Sequence, residues 1–273
     1  MSNEITGFTG SIPQHYDHDL GPVIFADFAE EMARRVVRGN PKRVLETAAG
    51  TGIVTRCLRD LLAADAALTS TDFNPPMLDV ARRKFGTEDR VAFQQADATT
   101  LPFDEGSFDA MVCQFGLMFF PDKPQSYREA YRVLAPQGRY FLSTWDSHRF
   151  NPYGAIAHNA MLHFFPQDPP QFYLVPFSCY QVDPIKNELL EAGFSDIEIG
   201  VVTRHKEIAD LPAFARGMVH GNPLIDQIQA RGGIAPDRIV EALAQALSDA
   251  FGNNPARMPM QAMFFSAVKP SLG

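Results

Sequence analysis

Gly50 and Gly52 follow a short apolar run in "VLETAAGTGIV", residues 44–54, and lead into a helical pattern. A strand that enters a helix through such a turn leaves unpaired backbone N–H groups, and a partial positive charge, beside a surface that a ligand can approach closely. Nucleotide-like ligands use that geometry. A dinucleotide site follows G-x-G-x-x-G, but here Thr55 stands at the third place, and a plain strand-to-helix turn is the simpler alternative. Asp72 lies twenty residues beyond Gly52 at the end of the next β-rich run. A carboxylate there accepts hydrogen bonds from the two hydroxyls of an adenosine ribose, although aspartate at a strand end is also a common turn residue. Asp97 ends a third run, "QQADA". Three ligand-facing strand ends on one edge of an open sheet make a crevice.

The elements that would position these residues alternate from Arg43 to about Thr144. Apolar β-rich runs ("RVLETA", "AALTSTD", "RVAFQQAD", "FDAMVCQF", "GRYFLSTW") are separated by helical patterns over Ile53 to Leu62, Pro75 to Phe85 and Lys123 to Leu134. This pattern predicts α/β architecture with a parallel sheet wrapped by helices. Asn74 is the expected cap of the second helix, and Gly138 is expected to end the third. After Trp145 an aromatic and proline-rich stretch reads as an insertion with one short helix. A helix over Pro184 to Ala192, ended by Gly193, and a strand over Ile197 to Thr203 follow. A second insertion runs from Ile208 to about Met260. In it Ile239, Val240, Leu243, Leu247 and Phe251 repeat at helical spacing, and "QARGG" (229–233) reads as a loop. The last strand is "AMFFSAV".

The 273 residues are 45% hydrophobic and 21% charged, enough to bury a sizeable core in one domain. A formal net charge of −8 gives no broad positive field, which argues against a nucleic-acid partner. Cys57, Cys113 and Cys179 are too scattered for a disulfide framework or a metal site, and a reducing cytoplasm fits them. No signal-peptide pattern opens the sequence, and no apolar stretch is long enough to span a bilayer.

"VLETAAGTG", "TSTDFNPPML", "QQADATTLPF", "FDAMVCQFGLMFFPD" and "EAYRVLAPQGRYFLSTW" together resemble the class I S-adenosylmethionine-dependent methyltransferases, in particular the group of ubiquinone and menaquinone C-methyltransferases. The resemblance covers about residues 40 to 145. It implies a Rossmann-like, seven-stranded, mostly parallel sheet with helices on both faces, and S-adenosyl-L-methionine as cofactor. On that reading residues 1–40 form N-terminal lid helices, 41–145 the cofactor-binding core, and 146–182 with 205–260 a helical, aromatic cap over a small-molecule substrate.

The family motif, acidic-x-Gly-x-Gly-x-Gly, is filled by Glu46, Ala48, Gly50 and Gly52. Alanine at 48 keeps the wall nearly flat provided its φ is negative. By resemblance Glu46 to Gly52 lie along the methionine part, Asp72 holds the ribose, and Phe73 and Met77 pack on the adenine. Asp97 and Ala98 reach the adenine edge, and Gln114 lines the sulfonium region. Tyr16 is a candidate lid contact, with simple packing under the lid as the alternative.

An activated sulfonium methyl needs in-line positioning and exclusion of water more than it needs a covalent residue. His15, His18, His148, His158 and His163 are possible bases if the acceptor loses a proton, and none is assigned. The polar-Pro-Pro-aromatic motif of amide and nucleobase N-methylation is missing after the fourth strand, where Gln114, Phe115, Gly116 and Leu117 stand. The aromatic insertions either roof an apolar acceptor pocket or merely seal the end of the sheet. A nicotinamide-dependent oxidoreductase and a non-catalytic protein of the same fold are the alternative functions.

Overall fold

The computed structural model describes residues 7–271; the outermost parts of the expected lid and of the C-terminus, residues 1–6 and 272–273, lie outside the described residues. Seven strands form one sheet in the order β3-β2-β1-β4-β5-β7-β6. β1 (Arg43–Glu46), β2 (Ala67–Asp72), β3 (Val91–Gln95), β4 (Phe108–Gln114) and β5 (Leu134–Trp145) run parallel, and β7 (Ala256–Val268) lies antiparallel between β5 and β6 (Ser195–Ile208). The chain leaves β1 toward β2 and β3, then returns to lay β4 on the other side. That reversal opens a crevice at the carboxyl ends of β1 and β4, where open α/β sheets take ligands.

Alternation along β1 sorts the core into two layers. Val44 joins the cluster that holds Phe28, Met32, Leu58 and Phe264, whereas Leu45 joins Met111, Tyr127, Leu134 and Tyr140 on the other face. Helices α2 (Ala26–Val37) and α3 (Ile53–Leu61) cover the first face. α5 (Lys123–Val133) and α7 (Val182–Glu191) cover the second, while α4 (Pro75–Arg82) connects β2 to β3. Burial on both faces explains why "AMVC" in β4 is apolar throughout.

Before α2 the chain forms α1 (Ile12–His15) and then a ten-residue π-helix, Tyr16–Phe25, with Pro22 inside it. The two expected insertions, read above as a cap, hold α6 (Pro152–Phe164), α8 (Leu211–His220), α9 (Leu224–Arg231) and α10 (Pro236–Phe251). The expected amphipathic helix is α10, whose Ile239, Leu243 and Leu247 are buried.

Several boundaries differ from the sequence reading. Gly138 ends no helix: α5 stops at Val133 and β5 starts at once, absorbing Ala135–Gly138 as a bulge where its register with β4 shifts. The first insertion carries a helix of 13 residues, not a short one; it meets neighbours on several sides and so lacks a clean apolar stripe. β6 and β7 extend each other to Ile208 and Ala256, so the second insertion is shorter than expected, and it holds three helices. Gln229 to Arg231 belong to α9; only Gly232 and Gly233, both with positive φ, form the loop. Asn74 occupies the cap position of α4 without a side-chain capping bond. Gly193, at φ +101°, does end α7 and lies against the Tyr131 ring.

Leu243 is fully buried in the layer that joins the cap to the sheet. Leu243→Ala is expected to lower the unfolding free energy by about 2–5 kcal/mol. Urea titration would measure it, and a loss below about 1 kcal/mol would mean that the cap is not cooperative with the core.

Candidate active site

The turn after β1 is more contorted than its sequence suggests. Ala48, Gly50 and Gly52 all have positive φ, at +52°, +56° and +81°. The condition set for alanine at 48 is therefore not met: the wall stays nearly flat, at the cost of a left-handed alanine, about 1–2 kcal/mol. Its methyl group is accommodated by a neighbour, because a Cβ on Gly116 would stand 2.5 Å from that of Ala48. Gly52 caps α3, and a Cβ on it would come within 3.0 Å of the Ala81 Cβ.

Two buried carboxylates hold this turn. Asp72 Oδ2 accepts from the Gly50 N–H at 2.8 Å, and its Oδ1 from the Asn74 N–H at 2.8 Å. Glu46 Oε2 accepts from Thr55 Oγ1 at 2.6 Å and from Ser70 Oγ at 2.8 Å. Thr55, the residue that replaces a third glycine, thus ties α3 to β1. Burial pushes the Glu46 carboxyl up to about 7, against the Thr55 and Ser70 bonds and with help from the Asp72 charge. Burial also raises Asp72, and the Asn74 and Gly50 N–H groups oppose it.

A cavity at the carboxyl ends of β1, β2 and β4 encloses about 620 Å³ of empty space, part of it open to solvent. Ala48, Gly50 and Asp72 form one side, Phe73, Met77 and Ala98 another, and Tyr16 and Gln114 close it. Glu46, Gly52 and Asp97 do not reach its wall. Glu46 points behind the turn, Gly52 faces α4, and Asp97 Oδ1 is taken by the Thr99 N–H and hydroxyl at 2.8 and 2.7 Å. Gln114 Oε1 is buried with no hydrogen-bond partner among the described residues. An unpaired acceptor on a flat, glycine-walled cavity suits a ligand that brings donors.

Residues missed in the sequence also line this cavity: Phe8, Asn74, Ala96, Phe115, Gly116, Phe119 and Phe120. Tyr16, Phe8, Phe115 and Phe119 also line a second cavity, of about 550 Å³, together with Trp145, Tyr153, Phe172, Tyr173 and Phe177. Tyr16 stacks on Phe25 at 4.7 Å, and Phe115 lies flat on Trp145 at 3.9 Å. Burial, and then the Asp72 charge, push the Tyr16 hydroxyl far above its usual range. No histidine lines either cavity among the described residues: His15 and His18 bond Asp19, and His148 Nε2 meets the Tyr173 carbonyl at 3.0 Å. His158 and His163 also lie outside both walls. A larger polar cleft at the opposite end of the sheet, flanked by Arg35, Arg139 and Glu198, contains none of the expected residues.

The family described as "Methyltransferase domain" matches residues 45–142, the stretch that builds this turn and cavity. Residues 45–142 therefore carry a methyltransferase domain. The chain is 35% identical over 136 residues to the demethylmenaquinone methyltransferase of Deinococcus radiodurans, covering 50% of this chain and 56% of the relative. It is 46% identical over 100 residues to that of Thermus thermophilus, covering 36% and 45%. The chain thus spans about half the length of these relatives. Among solved structures, phosphoethanolamine N-methyltransferase 2 of Haemonchus contortus has a TM-score of 0.60 at 18% identity, covering 98% of this chain and 59% of that one, and shares the fold. No helix among the described residues is long and apolar enough to cross a membrane. Cys57, Cys113 and Cys179 are free thiols.

Because the folded Glu46 binds its proton more tightly than an unfolded glutamate, its contribution to stability falls as pH rises from about 4.5, the ordinary value, through about 7. Glu46→Gln is expected to melt higher than the parent at pH 8 and equally at pH 4; parallel melting curves across this range would contradict the assignment. Ala48→Gly is expected to raise stability by up to about 1 kcal/mol by relieving the left-handed alanine, read as a denaturant midpoint shift.

Proposed function

We propose that this methyltransferase transfers the methyl group of S-adenosylmethionine to an apolar, aromatic small molecule. The observation that carries the reading is the adjacency of two cavities, one flat-walled and ending in Asp72, the other aromatic, with Phe8, Tyr16, Phe115 and Phe119 common to both. Asp72 would accept from the ribose hydroxyls, and Phe73 and Met77 would pack on the adenine, with Ala98 at its edge. Asp97, which stands outside the wall, would act on the adenine end by holding the Ala96–Ala98 edge through its bonds to Thr99. Ala48 to Gly52 would flank the methionine part with Glu46 behind them. Gln114 Oε1 would take a donor near the sulfonium, and Tyr16 would cover the site.

When bound, the sulfonium supplies an activated methyl electrophile. The chain's own task is to aim a nucleophile at it and to keep water out, which in favourable cases lowers a barrier by roughly 7–11 kcal/mol. The aromatic lining does both. Among the described wall residues the only groups that could take a proton are Asp72 and the hydroxyls of Tyr16, Tyr153 and Tyr173. Burial drives all three hydroxyls far above their usual range, so none is a base near neutrality. An acceptor whose proton can pass to solvent water rather than to the protein, such as an electron-rich ring carbon that sheds its C–H proton once the methyl is bound, fits best.

A quinone-precursor acceptor is part of this proposal, supported by the relatives being demethylmenaquinone methyltransferases and by the apolar lining. So are the cap role of residues 146–182 and 205–260, and cytoplasmic action, supported by the three free thiols. The nicotinamide alternative gains no support, since Thr55 is spent on Glu46 where a third glycine would stand.

Asp72→Ala is expected to weaken S-adenosylhomocysteine binding at least about tenfold by titration calorimetry, the scale of a lost hydrogen bond to a charged group. An unchanged dissociation constant in a variant of parental circular dichroism would remove Asp72 from the ribose.

A further inference from the structure

We propose that Asp19 is a positioning residue for the transfer reaction: it locks the π-helix of the lid onto α8 of the cap and so fixes the wall that the two cavities share. The proposal rests on the reading of those cavities given above. Asp19 is 3% exposed, yet carries four hydrogen bonds. Its Oδ1 accepts from His18 Nδ1 at 2.8 Å and Arg216 Nη2 at 3.1 Å; its Oδ2 accepts from His15 Nδ1 at 3.0 Å and Arg216 Nε at 3.3 Å. An ionised carboxylate only accepts, so both histidines carry their proton on Nδ1. Burial alone would raise this carboxyl, but the His15, His18 and Arg216 donors outweigh it and hold it below the usual range.

The donors come from two separate elements. His15 and His18 belong to the lid, and Arg216 reaches over from α8 with a two-pronged contact. The backbones approach closely at the same place. A Cβ on Gly217 would lie 2.6 Å from the Asp19 Cβ, and one on Gly221 would lie 3.0 Å from the Tyr16 backbone nitrogen. His220 faces His15 with ring centres 5.5 Å apart. Gly217 and Gly221 therefore let the two backbones close on each other along a seam from Asp19 to Tyr16.

What lies just inside the seam gives it a role. From the lid, Tyr16 borders both cavities, while Leu20, Ile24 and Phe25 border the aromatic one. From the cap, Met218 and Asn222 border that same cavity. Any slip of α8 along the π-helix moves both sides of the acceptor wall at once. A π-helix is a rare geometry, held here by tertiary partners, with Asp19 on one side and the Asp17–Lys84 ion pair to the chain just after α4 on the other. Removing one partner of such a buried pair leaves an uncompensated charge, which the seam can relieve by opening.

The single tryptophan of the chain, Trp145, stands in the aromatic cavity and reports on it without any knowledge of the acceptor. The test uses the full chain, acrylamide quenching of Trp145 fluorescence, and calorimetric binding of S-adenosylhomocysteine. Asp19→Asn and Arg216→Gln are expected to raise the quenching constant at least twofold and to weaken S-adenosylhomocysteine at least threefold, with far-ultraviolet circular dichroism unchanged. Arg216→Lys, which keeps the cation, should fall between. Arg257→Gln, which breaks an exposed pair with Glu207, should change neither quantity. The Arg216 side chain is 43% exposed, so its variants carry the test if Asp19→Asn does not fold. Folded Arg216→Gln protein with parental quenching would overturn the lock. Raised quenching in a protein whose parent does not bind S-adenosylhomocysteine would support the lock and overturn the cofactor reading instead.

Discussion

The hydrogen bond from the Gly50 N–H to Asp72 Oδ2 is the constraint on which the site depends. Three left-handed residues in a stretch of five cannot be held by local preference alone, because alanine resists that region and glycine is indifferent to it. The turn keeps its shape because a carboxylate on the neighbouring strand takes its central N–H, while Glu46 binds the helix beyond it through Thr55. The parallel register that sets Glu46 opposite Ser70 makes both anchors possible. Strand order, turn and cavity are thus one device.

From that device the chemistry follows by exclusion. On the proposed reading, the cofactor side offers a flat wall, one carboxylate and an unpaired amide oxygen, and the acceptor side offers rings. Phe115 and Trp145, stacked at 3.9 Å, form a plate that flexible aliphatic residues would not provide. Such a pocket confers orientation and dryness, the two requirements of methyl transfer that a static protein can supply. One fold can serve many chemistries. Architecture alone therefore leaves the reaction open, and the arrangement of Asp72, Gln114 and the shared aromatic collar has to carry the functional reading.

The middle of the sheet was legible because β4 and the second half of β5 are buried on both faces, which writes continuous apolar runs into the sequence. Asp72, Phe73, Met77, Ala98 and Gln114 were legible for a related reason: they sit at strand ends or one turn into a helix, where sequence spacing fixes spatial position. Phe8, Phe119 and Trp145 reach the cavities through the packing of distant segments, and no spacing rule foretells that. Gly138 misled because a glycine in a β-bulge and a glycine closing a helix look alike in one dimension. The Gly116 signal was present but unread: its missing Cβ is explained only once Ala48 is seen opposite it.

The two carboxylates also give the acidic residue of the loop motif a structural task, holding α3 and β2 to β1. They lie on adjacent parallel strands, and the Asp72 charge is among the causes that raise the Glu46 carboxyl to about 7. Two full negative charges at this depth would repel each other and would both lack solvation. The structure divides the work. Glu46 is surrounded by the hydroxyls of Thr55 and Ser70, donors that a protonated carboxyl tolerates, and so can shed its charge without losing its grip on α3. Asp72 receives backbone N–H groups, which favour the ionised form, and it alone faces the cavity. A single anion is then presented to the ligand, and its neighbour can become neutral to make that presentation less costly.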